Sequence, residues 1–138
     1  MIVKYCLVFK GEMVMTLEEA IMKVAQLDPY QNVNIPFTPY ITSPSGKVTV
    51  EPQMTRGFAF CSICNMVTGD GYITVRHIDG RTVEFHPVLY HYVKVGHPVP
   101  VAANRFDGVV SWKYGRRILG EEEKLNNITL LVDIMSDA

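Results

Sequence analysis

Residues 72–86 read Tyr72-Ile-Thr-Val-Arg-His77-Ile-Asp-Gly80-Arg-Thr-Val-Glu-Phe-His86, and this stretch decides the fold class. Apolar or β-branched side chains alternate with polar ones on both sides of Asp79-Gly80, a dipeptide favoured in tight hairpin turns. With Asp79 and Gly80 as a two-residue loop, Ile78 pairs with Arg81, His77 with Thr82, Val75 with Glu84 and Ile73 with His86. Side chains alternate across a strand. One face then carries Tyr72, Thr74, Arg76, Ile78, Arg81, Val83 and Phe85. The other carries Ile73, Val75, His77, Thr82, Glu84 and His86.

Further strands flank this hairpin. Lys47 to Val50 alternates, Gly57 to Ile63 reads as a strand, and Gly108 to Tyr114 is another, ended by Gly115. Val88 to Val95, rich in Val and Tyr, reads as a strand following Pro87. Short connections between successive strands favour antiparallel pairing, because parallel crossovers need about a dozen residues or more. Ile2 to Phe9 reads as a further strand.

Two segments carry helical spacing instead. Thr16-Leu-Glu-Glu19 is a capping box, in which the Thr16 hydroxyl can accept from the third helical N–H. Leu17, Ile21, Val24 and Leu27 then form one stripe, which Asp28-Pro29 stops. After Gly120, Glu121-Glu-Glu puts negative charge where a helix N-terminus favours it, and Leu125, Ile128, Val132 and Met135 keep the spacing. Ile128 to Ile134 is also β-rich and would serve as a strand. The fold class is therefore α+β: a mostly antiparallel, twisted or partly rolled sheet of about six to seven strands, with one N-terminal and one C-terminal helix.

Size and composition agree with one domain spanning residues 1–138. The chain is 48% hydrophobic and 20% charged, which excludes a disordered tail and a collagenous repeat. The early apolar run Tyr5 to Phe9 is too short for a signal-peptide core or a membrane span. Three cysteines make an odd count, so a reduced, cytoplasmic setting is expected rather than a disulfide framework.

The net charge of −1 hides an asymmetry. Residues 53–120 carry 8 basic and 4 acidic side chains, whereas residues 121–138 carry 1 basic and 5 acidic. The middle segment also holds all four histidines, the only Trp and the Cys61/Cys64 pair. Cations interleaved with aromatics suit an anionic ligand. A charge balance near neutrality argues against duplex DNA as partner.

Three constellations follow. First, His77 and His86 share the predicted hairpin face with Glu84. Two imidazoles and a carboxylate can ligate a metal or act as a general acid/base pair, or can simply be a solvated polar ladder. Second, Cys61-Ser-Ile-Cys64 is half a zinc signature; His86 and His91 (H-x4-H) have ligand spacing, but 21 residues separate Cys64 from His86. Buried, unliganded thiols are the plainer reading. Third, Arg76, Arg81 and Arg117 supply guanidinium forks for phosphate, with Tyr72, Phe85 and Tyr90 as an apolar wall. No Gly-rich phosphate loop, G-x-S-x-G or H-E-x-x-H is present.

The sequence thus predicts a non-catalytic binding or assembly protein. It would recognise a small anionic, nucleotide-like ligand or a macromolecular partner through residues 54–117, without a cofactor, and could form a homo-oligomer through open sheet edges. The alternative is a metal-dependent hydrolase, with zinc or a similar ion held by His77, Glu84 and His86.

Overall fold

A computed structural model describes residues 6–9, 13–31, 38–61, 63–99, 112–114, 117–118 and 121–138. Thr16 opens the first helix as its sequence predicts. The Glu19 N–H donates to Thr16 Oγ1 at 3.0 Å, satisfying one of the donors that a helix start leaves unpaired. Helix α1 (Leu17–Gln26) buries Leu17, Ile21 and Val24 of the predicted stripe together with Ala20 and Ala25, while Leu27, just past the helix, is half-buried. Each fully buried Leu or Ile contributes roughly 1.5–3 kcal/mol.

Strands β1 (Cys6–Phe9) and β2 (Met13–Thr16) form a separate antiparallel hairpin. The main sheet has six antiparallel strands: β3 (Ile41–Thr42), β4 (Val48–Phe60), β5 (Val67–His77), β6 (Thr82–Phe85), β7 (Trp112–Tyr114) and β8 (Arg117–Ile118). Their spatial order is their chain order. The α+β class and the antiparallel meander are as expected. The ribbon of β4 and β5 is longer than its sequence signals, with a register shift between Met54 and Phe58 where β4 departs from strict alternation.

The hairpin turn differs from its expected form by one residue. Thr74 pairs with Glu84, Val75 with Val83 and Arg76 with Thr82. The loop is Ile78-Asp79-Gly80. The His77 N–H donates to the Arg81 carbonyl at 2.8 Å, and the Gly80 N–H to the His77 carbonyl at 2.9 Å. Gly80 lies at φ +101°, the left-handed position that a three-residue hairpin loop needs. A slip of one residue turns every side chain of a strand over. Val83 and Phe85 therefore join Ile73, Val75 and His77 on the buried face, while Thr82 and Glu84 join Thr74 and Arg76 on the other. Burial decides the contest, since Val83 and Phe85 both become fully inaccessible.

Residues 88–95 form helix α2 (Val88–Val95), not the expected strand. Pro87, at φ −59° and ψ −16°, starts the chain in helical geometry, and Gly96 at φ +83° ends it left-handed. Proline at the start and glycine just past the end is a helix signature that the Val/Tyr-rich composition masks. Five consecutive residues of this helix, Val88 to Tyr92, are buried, which explains why no polar stripe marks it.

The segment after residue 120 resolves as helix α3 (Glu121–Met135). Ile128, Leu131, Val132, Ile134 and Met135 are buried, and the helix packs on α1, β5 and β6. The core thus lies between three helices and one face of the sheet, which carries Val48, Val50, Ile73, Val75, Val83 and Phe85. None of the described helices is long and apolar enough to cross a membrane.

Candidate functional site

The imidazoles of the 72–86 hairpin are tied into the fold separately. His77 Nδ1 accepts the Asp79 N–H at 3.1 Å, so Nε2 carries the proton and donates to Asp137 Oδ2 at 2.8 Å. This contact fastens the chain end beyond α3 to the hairpin. His86 Nδ1 accepts the Val88 N–H at 3.0 Å and so serves the first turn of α2. Its Nε2 donates to Asp70 Oδ1 at 3.0 Å. Glu84 stands on the opposite face of the sheet, across from Thr74. The three residues proposed from sequence as metal ligands therefore do not converge.

The cationic set separates as well. Arg81 Nε donates to Asp79 Oδ2 at 2.8 Å, and its NH1 donates to Asp133, with Asp137 3.8 Å from NH2. It neutralises the acidic end of the chain internally. Phe85 and Tyr90 are core residues, packed edge to face with ring centroids 5.8 Å apart. Tyr72 is half-buried opposite Gln53. Arg117 lies in β8, and its side chain falls outside the described residues.

Arg76, by contrast with Arg81, faces solvent. Its side chain is 53% exposed, with Glu51 Oε1 3.6 Å from NH1, a geometry worth little in water. It borders an open groove of about 300 Å3 with Tyr40, Lys47, Thr49, Glu51, His77 and Ile78. The groove sits at one end of the β4–β5 ribbon.

At the other end of the ribbon the loop Cys61–Met66 joins β4 to β5. Its ends are held by the Cys61 N–H to the Met66 carbonyl at 2.9 Å and the Asn65 N–H to the Cys61 carbonyl at 2.8 Å. Asn65 takes a left-handed conformation at φ +63°, one that asparagine tolerates better than most residues. Within this turn the Ile63 N–H points at Cys61 Sγ at 3.4 Å. Cys61 is buried, whereas Cys64 is exposed, and both are free thiols.

Helix α2 and the chain just beyond it bring two imidazoles to this loop. Cys64 Sγ lies 3.2 Å from His91 Nε2. The left-handed Gly96 reverses the chain directly after α2, so the His97 ring stacks edge-on beside His91, with centroids 5.3 Å apart. One ligand atom from each of Cys61, Cys64, His91 and His97 falls within 4.8 Å of all the others. His97 Nε2 is buried without a hydrogen-bond partner. Burial, and secondarily the nearby His97, lower the His91 pKa below its ordinary 6.5, which keeps its ring neutral at pH 7.

The sequence marks the Cys61/Cys64 pair but assigns His86 beside His91. His97 is the partner instead, at H-x5-H spacing, which also lies within the usual range for paired ligands. Gly96 beside it was the available signal. Comparison with known proteins finds no matching family model, no matching curated protein and no matching solved structure.

Proposed function

We propose that the chain is a non-catalytic binding protein that holds a small anionic, ring-bearing ligand of nucleotide type in the groove beside Arg76. The observation that carries this reading is the groove itself, which sets Arg76 and Lys47 beside the Tyr40 ring and the exposed Ile78. A guanidinium fork takes a phosphate through two parallel hydrogen bonds, and an incoming phosphate would replace Glu51 as its partner. Lys47 adds a point charge, and Tyr40 offers a face for a planar ring. A volume of about 300 Å3 suits a small ligand.

Absence of turnover fits the state of the imidazoles. Both ring nitrogens of His77, the histidine on the groove wall, are engaged by Asp79 and Asp137. A hydrolase at His77, Glu84 and His86 would need these groups at one point in space, and Glu84 is on the other side of the sheet. A reducing, cytoplasmic setting accords with the free thiols, and self-association through sheet edges remains part of the proposal.

Calorimetric titration with a nucleoside monophosphate, inorganic phosphate and the uncharged nucleoside tests the reading. Binding by the monophosphate, weaker binding by phosphate, and loss of both in Arg76→Ala and Lys47→Ala are expected. Tyr40→Ala should erase the preference for the monophosphate. Heat signals equal in the wild type and Arg76→Ala would remove the groove as the site, and turnover of the monophosphate would remove the non-catalytic reading.

A further inference from the structure

We infer that Cys61, Cys64, His91 and His97 form a four-ligand site for one zinc-class divalent cation, which staples the β4–β5 loop to the C-terminal end of α2. The site is independent of the anion groove and lies at the opposite end of the ribbon.

The donor set selects the ion. Two thiolates and two imidazoles match zinc and are poor ligands for magnesium or calcium, which take oxygen. Zn–S bonds of about 2.3 Å and Zn–N bonds of about 2.0–2.1 Å make a tetrahedron with edges of roughly 3.4–3.8 Å. The Cys64–His91 separation of 3.2 Å is close to such an edge. The remaining separations reach at most 4.8 Å, so small side-chain adjustments bring all four donors onto one ion.

Three local features make sense together only around a cation. His97 belongs to this cluster, and its Nε2 is buried with no partner, a costly state for a polar nitrogen. The Ile63 N–H is directed at Cys61 Sγ, a contact that would hold the sulfur in place as a ligand. Cys64 is exposed, so core packing gives no reason for a thiol to stand there.

The connectivity is also that of a metal-tied turn. Two residues separate the cysteines, five separate the histidines, and one left-handed residue serves each half: Asn65 in the loop and Gly96 after the helix. With four protein donors the tetrahedron is closed and keeps no position for a substrate or an activated water. The ion's role is therefore structural: it fixes the end of a long two-stranded ribbon to a helix.

The test uses the full chain purified under reducing conditions, with zinc measured by elemental analysis and cobalt titrated in as a spectroscopic probe. One zinc per chain is expected. Cobalt should give the intense visible bands of tetrahedral coordination together with a thiolate-to-cobalt charge-transfer band. Cys64→Ser, at an exposed position, should weaken zinc binding by about 100-fold or more, since even outer-shell changes cost 10–100-fold. His97→Ala should do the same, and Cys6→Ser should leave binding unchanged. Wild-type protein that takes up no zinc, or that gives the weak bands of octahedral cobalt without thiolate ligation, overturns the inference without recourse to any variant. Undiminished binding in folded Cys64→Ser and His97→Ala also overturns it.

Discussion

The Tyr90 hydroxyl donates to Asp28 Oδ2 across 2.8 Å, tying α2 to the residue that follows the end of α1. Asp28 Oδ1 accepts the Tyr30 N–H at 2.9 Å, so one carboxyl holds both the turn after α1 and helix α2. Tyr90→Phe keeps the ring and its contact with Phe85 but leaves a buried carboxyl short of a donor. A loss of about 1–3 kcal/mol is expected. It would be read as a lower urea midpoint at unchanged m value, and an unmoved midpoint would show that the bond contributes nothing.

Burial raises the Asp28 carboxyl above 3.8 despite donation from Tyr90 and Tyr30 and the charge of Lys94. Because the folded value exceeds the unfolded one, this group favours the fold below the unfolded pKa. That contribution is lost as pH rises through the folded pKa. Asn at this position cannot ionise. The stability of Asp28→Asn relative to wild type should therefore improve between about pH 3 and about pH 7. Denaturant titrations at the two pH values check this, and a pH-independent difference would refute it.

Thr16 caps α1 through a single hydroxyl. Thr16→Ala should cost about 1 kcal/mol, and Thr16→Ser should recover most of it. Thermal unfolding of the three proteins compares them directly. Equal midpoints would mean that packing alone sets where the helix begins.

The register of the β5–β6 hairpin makes neighbouring residues unequal. Val83 is fully buried, whereas Thr82 is half-buried on the opposite face. Val83→Ala should cost about 2 kcal/mol, and Thr82→Ala should stay within about 0.5 kcal/mol. The reverse ranking would restore the register of a two-residue loop.

Arg81 gathers Asp79, Asp133 and Asp137 at the C-terminal end of α3, where a helix's own dipole disfavours negative charge. Arg81→Ala should lower stability by about 1 kcal/mol at low salt, since these side chains are partly exposed. The difference should shrink in 1 M salt, where screening acts over roughly 3 Å. A salt-independent loss would assign the effect of Arg81 to packing of its stem.

Periodicity and capping, which are local, let the sequence determine α1, the stripe of α3 and the alternating strands of an antiparallel meander. The C-x-x-C spacing marks Cys61 and Cys64 as half a zinc signature, with unliganded thiols as the plainer reading. Tertiary structure decided what depends on competition between distant segments. Val83 and Phe85 reach the core only if the hairpin loop has three residues, so burial overrides the turn preference of Asp79-Gly80. Residues 88–95 have β-forming side chains, yet a helix lets five consecutive ones be buried between Pro87 and Gly96. The same helix carries His91 to Cys64, and the left-handed turn at Gly96 returns His97 to them. His86, closer in sequence to the pair, is spent on Asp70 and the start of α2. Which histidines meet the cysteines follows from helix rotation and chain reversal, and linear spacing encodes neither.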